Sequence, residues 1–249
     1  MDKYEEAIQL IKNARHLVVF TGAGISVDSS IPPFTGPGGL WTKYDPKFIE
    51  IGFFYDHPVE SWKEIKKIFY DFMLDSCKPN LSHKTIGDWS KKGIVKEVIT
   101  QNIDNLHQVG GAKVVHEFHG TTKTLTCINC GKKYDASKVS LDKLPPKCSC
   151  GGILKPDFVF YGEGINPKVL RASEEAILKA DVILIIGTSG QVMPACQLPM
   201  IAKYKNKSVK VIEVNPIKSS FTTSITDLYF AMNGVDWFEQ INKRWNAKH

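Results

Sequence analysis

Leu17-Val18-Val19-Phe20, an unbroken apolar run that empties into Thr21-Gly22-Ala23-Gly24, constrains the fold of this chain more than any other stretch. A run that is apolar at every residue, rather than at alternate ones, describes a strand covered on both faces. The glycines behind it allow a tight turn. Val95-Lys96-Glu97-Val98-Ile99, Val182 to Ile186 and Val209 to Val214 read as further strands of this kind. Helical spacing fills intervals between them. Tyr4, Ala7, Ile8, Ile11 and Ala14 lie on one face of Asp2 to Ala14, where Asp2 and Glu5 have capping-box spacing. Pro167 to Lys179 and Met193 to Tyr204 are the other clear helices. This alternation predicts an α/β fold, a Rossmann-like parallel sheet with helices on both faces.

Two segments break the alternation. Residues 38–79 are rich in Trp, Phe and Pro, and Val59, Trp62, Ile65, Phe69, Phe72 and Met73 form a helical stripe expected to pack as core. Residues 120–153 hold Cys127-x2-Cys130 and Cys148-x-Cys150. Four thiolates satisfy a borderline-soft cation tetrahedrally, and Gly151-Gly152 lets the chain turn close to sulfur. Four cysteines leave no position for water, so zinc there would be structural. The organisation expected is a large Rossmann-like domain from residues 1–37, 80–119 and 154–249. A smaller domain would combine a helical module (38–79) with a zinc-binding module (120–153). Cys77 and Cys196 are expected as small buried thiols.

Six cysteines in 249 residues are too few for a disulfide scaffold, which favours a reducing compartment. Met1-Asp2-Lys3-Tyr4-Glu5-Glu6 lacks the basic start and apolar core of a secretory leader, and Val182 to Ile186 is far too short to span a bilayer. A cytoplasmic location and no membrane partner are expected. The net charge of +6 arises from 32 scattered basic residues without a block of like charge, so no specific nucleic-acid partner is expected.

The densest polar chemistry lies in Thr100-Gln101-Asn102-Ile103-Asp104-Asn105-Leu106-His107 and, soon after, Glu117-Phe118-His119-Gly120. Buried amides, acids and imidazoles must each find a partner or cost stability, so such a cluster reads as a site rather than as packing. His116-Glu117-Phe118-His119 is one residue short of the H-E-x-x-H zinc-protease motif, which argues against that chemistry. The turn Gly22-Ala23-Gly24 has Val27 where a G-x-G-x-x-G fingerprint has its third glycine, so a phosphate-binding turn and a plain tight turn both remain open. Gly187-Thr188-Ser189-Gly190 and Asn215-Pro216 also follow strands. Three such strand ends predict a ligand crevice at the carboxyl edge of the sheet.

In this order, Gly22-Ala23-Gly24-Ile25-Ser26, Gly39-Leu40-Trp41, Thr100 to His107, Glu117 to Gly120, the cysteine quartet, Lys155-Pro156-Asp157, Tyr161-Gly162-Glu163, Gly187-Thr188-Ser189 and Val214-Asn215-Pro216 resemble the sirtuins, the NAD-dependent protein lysine deacylases. The resemblance runs from Gly22 to about Asn233. It implies that NAD contacts Gly22, Ala23, Gly24, Ser26, Phe34, Thr35, Gln101, Asn102, Ile103, Asp104, Gly187, Thr188, Ser189, Asn215 and Val235. Asn102 and Asp104 would grip the nicotinamide, and His119 would act as general base. An extended acyl-lysine protein or peptide would pair with Val159, Phe160, Tyr161 and Gly162. Cys127, Cys130, Cys148 and Cys150 would hold one zinc ion. In the family's route the acyl oxygen attacks the ribose C1′, after which the histidine activates a ribose hydroxyl. The products are nicotinamide, O-acyl-ADP-ribose and free lysine.

One loop departs from the family pattern. Ser29-Ser30-Ile31-Pro32-Pro33-Phe34-Thr35-Gly36 has Thr35 where an arginine is usual and Pro33 where an aspartate is usual, which predicts weaker NAD positioning. No tyrosine–arginine fork is found in Leu40-Trp41-Thr42-Lys43, so neutral acyl groups are expected over acidic ones. The same C1′ chemistry could instead serve an ADP-ribosyltransferase or an NAD glycohydrolase. A non-enzymatic NAD or ADP-ribose sensor is the third reading.

Overall fold

The computed structural model describes residues 2–36, 38–72 and 77–246. Its main element is a six-stranded parallel sheet built from β1 (Leu17–Thr21), β2 (Val95–Thr100), β3 (Val115–Glu117), β7 (Val182–Ile186), β8 (Lys210–Val214) and β9 (Leu228–Phe230) in the order β3-β2-β1-β7-β8-β9. β1 and β7, the two unbroken apolar runs, lie side by side at the centre, and each is buried along its whole length. The sheet has a separate hydrophobic cluster on each face. Val19, Leu184 and Ile212 belong to one, with Trp237 and Phe238 of the helix Gly234–Asn246. Val18, Ile183 and Val211 belong to the other, with Ala176 and Ile177 of the helix Pro167–Lys179. Alternate residues of one strand thus feed opposite cores, as a doubly covered sheet requires.

A second sheet is antiparallel, β5-β4-β6, with β4 at Gly120–Cys127, β5 at Lys133–Asp135 and β6 at Leu154–Phe158. It shares a third cluster with the 38–79 segment, in which Phe48, Phe54, Trp62 and Phe69 pack with Leu125, Leu154 and Phe158. Polar bonds join them too: the Trp62 indole donates to the Leu154 carbonyl at 2.9 Å, and the Tyr70 hydroxyl to the Thr122 carbonyl at 3.0 Å.

Several expectations need correction. The first helix spans Lys3–Asn13, and the Asp2 side chain makes no cap hydrogen bond; its carboxylate lies 3.6 Å from Arg244 Nε on the last helix. The helix expected from Met193 begins only at Gln197, because a residue before proline is driven out of the α region and residues 194–198 close with i+3 bonds. In the 38–79 stripe Trp62, Ile65 and Phe69 are buried, whereas Val59 and Phe72 are exposed. The α-helix Pro58–Ile65 passes into a π-turn at Lys66–Tyr70, with Asp71 N–H bonded to Lys66 O. That wider turn rotates Phe72 off the buried face. Met73 lies outside the described residues. Cys77 and Cys196 are half-buried, not buried, and Cys196 Sγ sits 3.3 Å from Met193 Sδ near the surface.

Candidate active site

The carboxyl ends of β1, β2, β7 and β8 meet at one edge of the large sheet. The turns after β1 and β7 touch backbone to backbone. Gly24 N–H donates to Gly187 O at 2.8 Å, and a Cβ on Gly24 would lie 2.7 Å from Gly187 Cα. Gly22 N–H is likewise spent on Ile186 O, and a Cβ on Gly22 would meet Thr188 Cβ at 2.7 Å. These glycines therefore serve the mutual approach of two loops, and after Gly22 the chain enters a 3-10 helix, Ala23–Ser29, rather than an α-helix. Gly187, at φ +63°, is in the left-handed region that favours glycine.

Hydrogen bonds tie the strand ends together. The His119 ring bonds through Nδ1 to the Gln101 carbonyl at 3.1 Å, the Gln101 amide donates to Thr188 Oγ1 at 3.0 Å, and the Asn215 amide donates to the Thr188 carbonyl at 3.1 Å. A carbonyl can only accept, so Nδ1 carries the imidazole proton and Nε2 keeps a lone pair. Burial lowers the His119 pKa from its usual value, against the pull of the Gln101 bond, and the ring is neutral at pH 7.

A second cluster sits beneath the β1 turn. Ser26 is fully buried; its hydroxyl receives the Asn102 amide at 3.1 Å and donates to Asp104 Oδ2 at 2.7 Å. Asp104 Oδ1 accepts the Leu106 N–H at 2.9 Å. Burial raises the Asp104 pKa, partly offset by the Leu106 and Ser26 hydrogen bonds. His83 also reaches Ser26, at 3.4 Å from Nε2. Its Nδ1 takes the Asn80 N–H at 3.3 Å, so Nε2 is the protonated nitrogen and faces the serine. Reading the sequence did not single out His83. Its only trace there is Asn80-x-x-His83, a capping pair in which histidine takes the place usual for Glu or Gln.

Other expected residues are placed as follows. Ile103 is buried, half-buried Val235 lies in the first turn of the last helix, and Ser189 is exposed on the β7 turn. The Phe34 ring packs 5.4 Å from Trp41, tilted by 40°, and Thr35 is exposed on the same loop. Val159 N–H pairs with His119 O at 2.8 Å, so the segment Val159–Gly162 is anchored directly at the histidine. Phe160 is buried, Tyr161 is exposed and accepts the Trp41 indole N–H at 3.1 Å, and Gly162 sits at φ +89°.

The cysteine sulfurs of Cys127, Cys130, Cys148 and Cys150 all lie within 4.8 Å of one another, with the Cys127–Cys150 and Cys130–Cys148 separations both 3.6 Å. Four sulfurs about 2.3 Å from a tetrahedral zinc would be spaced by roughly 3.8 Å, so the quartet fits the ion. A Cβ on Gly152 would fall 2.7 Å from Cys127 Sγ, which explains the glycine there, and the Tyr134 hydroxyl lies 3.0 Å from Cys148 Sγ. Backbone N–H of Cys150 and then the Tyr134 hydroxyl hold the Cys148 thiol down to about 5. β4, 8 residues long, runs from beside His119 to Cys127, roughly 26 Å at strand rise, too far for the quartet to share in the histidine's chemistry.

The Sir2 family model matches residues 22–194. The chain is 39% identical over 222 residues to NAD-dependent protein deacylase 2 of Pyrobaculum aerophilum, covering 88% of this chain and 87% of that protein. It is 35% identical over 244 residues to the NAD-dependent protein deacetylase of Thermotoga maritima, covering 96% and 97%. Among solved structures, Sir2 with a p53 peptide and NAD+ is similar at a TM-score of 0.89 and 33% identity, covering 99% of this chain and 100% of that one. Sir2 bound to acetylated peptide is similar at 0.88 and 32%, covering 99% of each.

Proposed function

The chain belongs to the Sir2 family, and from that premise we propose how its crevice divides the work of an NAD-dependent protein lysine deacylase. The protein transfers the acyl group of an acyl-lysine substrate with consumption of NAD, releasing nicotinamide, O-acyl-ADP-ribose and free lysine. Neutral hydroxyls and amides at adjacent strand ends suit a dinucleotide whose riboses both donate and accept. NAD, when bound, supplies the ribose carbon that loses nicotinamide and receives the acyl oxygen.

The observation that carries the division is the protonation of His119. With Nδ1–H held by Gln101 O, its bare Nε2 is a base for a ribose hydroxyl. Asn102 and Asp104, locked through Ser26, would hold the carboxamide and set its plane. Gln101, Thr188 and Asn215 would orient the riboses, with Ala23, Ser189 and Val235 beside them. The segment Val159–Gly162 would take the peptide. Zinc fits the quartet, where it would cross-link β4 to the turn before β6.

We further propose a Rossmann-like domain of residues 1–37, 80–119 and 154–249 and a smaller domain of residues 38–79 and 120–153, joined where β6 pairs with β4. A cytoplasmic location is favoured by four cysteines gathered as thiols; among the described residues no helix is long and apolar enough to cross a membrane. Related proteins named as deacetylases and deacylases favour this activity over transferase, glycohydrolase and sensor readings. Mass spectrometry of products from NAD with and without an acetyl-lysine peptide tests it. Nicotinamide release that requires the peptide is expected; release at the same rate without it would support hydrolysis instead.

A further inference from the structure

Lys155 and Glu163 lie on either side of the segment expected to hold the peptide and bond to each other across it. The Lys155 ammonium is largely buried and has three acceptors, one for each proton: Glu163 Oε2 at 2.9 Å, Pro156 O at 3.0 Å and Phe158 O at 3.2 Å. It also lies 4.0 Å from the centre of the Phe160 ring. Glu163 Oε2 in turn accepts the Phe160 N–H at 2.7 Å, while Glu163 N–H returns to Phe160 O at 3.0 Å. Both backbone polar groups of Phe160 are thus engaged by one residue. Between them Gly162, at φ +89°, completes a turn that a residue with a Cβ would strain. The tip of this turn is held from the other side, where Tyr161 N–H bonds to Ile49 O at 2.8 Å and Ile51 N–H to Tyr161 O at 2.9 Å.

We propose that the Lys155–Glu163 pair is a positioning latch that fixes the backbone of Val159–Gly162 in its peptide-accepting shape, and so sets affinity for the acyl-lysine substrate without acting on NAD. The proposal rests on the reading of that segment as the peptide site. A partly desolvated ion pair contributes little net stability against an apolar pair of the same volume, so the role of this one in the latch is to select a conformation. Burial lowers the Lys155 pKa while Glu163 pulls it back up, as expected for a charge kept by its partner. Apart from the bond within the pair, its hydrogen bonds go to backbone of Pro156, Phe158 and Phe160, and none goes to Gln101, Asn102, Asp104 or Thr188. A loosened latch should therefore disturb one substrate and spare the other.

The test uses the full-length protein and a fluorescent acetyl-lysine peptide, with Kd read by anisotropy and KM for peptide and NAD read separately. Lys155→Met keeps the aliphatic stem over Phe160, and Glu163→Gln keeps an acceptor for the Phe160 N–H. Each should raise peptide Kd and KM by about tenfold, with NAD KM and kcat within about twofold. Lys155→Arg should recover peptide KM to within about threefold, because it keeps the charge. Peptide KM unchanged in both variants, or peptide and NAD KM rising together with a lower kcat, would overturn the latch. So would failure of both variants to fold, since the pair would then be a general structural element. A wild-type protein that neither binds nor deacylates the peptide would overturn the site reading and the latch with it. An active wild type with unchanged variants would remove the latch alone.

Discussion

At the carboxyl edge of the large sheet two glycine turns meet with no side chain between them, and Gly187→Ala tests that close approach directly. Gly187 sits at φ +63°, where an L-residue costs about 1–2 kcal/mol. Its new Cβ would also lie 2.6 Å from Gly24 C and 2.7 Å from Gly24 Cα, and closer still to Ile25 N. All three are backbone atoms, so relief requires moving a loop rather than swinging a side chain. Overpacking of this kind costs about 1–3 kcal/mol, giving a total of roughly 2–5 kcal/mol. In a chain of this length that lowers Tm by roughly 5–15 °C. Gly24→Ala meets Gly187 without the backbone penalty and should fall between Gly187→Ala and the wild type. Gly164→Ala, whose Cβ meets nothing within 4 Å, should stay within about 2 °C. Thermal unfolding by circular dichroism ranks the three, and NAD KM should rise in the first two. A Gly187→Ala protein melting with the wild type would refute the close-approach account.

Three further outcomes follow. His83 is held to about 4 by burial, so the unfolded chain takes up a proton below 6.5 that the folded one does not; stability is full above 6.5 and declines as pH falls toward 4. The contribution lost by pH 5 is about 2 kcal/mol, and urea unfolding of wild type against His83→Gln should show the gap shift by that amount between pH 7.5 and 5; a pH-independent gap would contradict it. Chelation of zinc, or Cys148→Ser, should lower Tm by at least roughly 6 °C through loss of the β4–β6 cross-link, and a metal-free protein with unaltered Tm would show the quartet to be dispensable. Thr35→Arg, on an exposed loop, should lower NAD KM about fivefold, and unchanged NAD KM and kcat would count against weakened NAD positioning.

Much of this was legible in the sequence where the physics is local. β1 and β7 are apolar at every residue because both faces are covered, and their boundaries could be read within a residue. β3 and β9 escaped because each has three residues, too few to express a period. The site residues came from a resemblance to known segments, and the structure brings Gln101, Thr188, Asn215 and His119 onto one hydrogen-bonded path. His83 was missed because Ser26 meets it only through tertiary contact, and its local capping pair with Asn80 puts histidine where Glu or Gln is usual. Phe72 was misplaced because a π-turn changes the helical period partway along a stripe.

Holding nicotinamide and moving a proton would fall to different residues of one site, with His119 serving only the second. His119→Ala measured in two assays tests it: exchange of labelled nicotinamide into NAD in the presence of acetyl-lysine peptide, and appearance of free lysine on that peptide. Persistent exchange with release of free lysine reduced by about a hundredfold or more is expected. Loss of both activities together, or free lysine formed at the wild-type rate, would contradict the assignment.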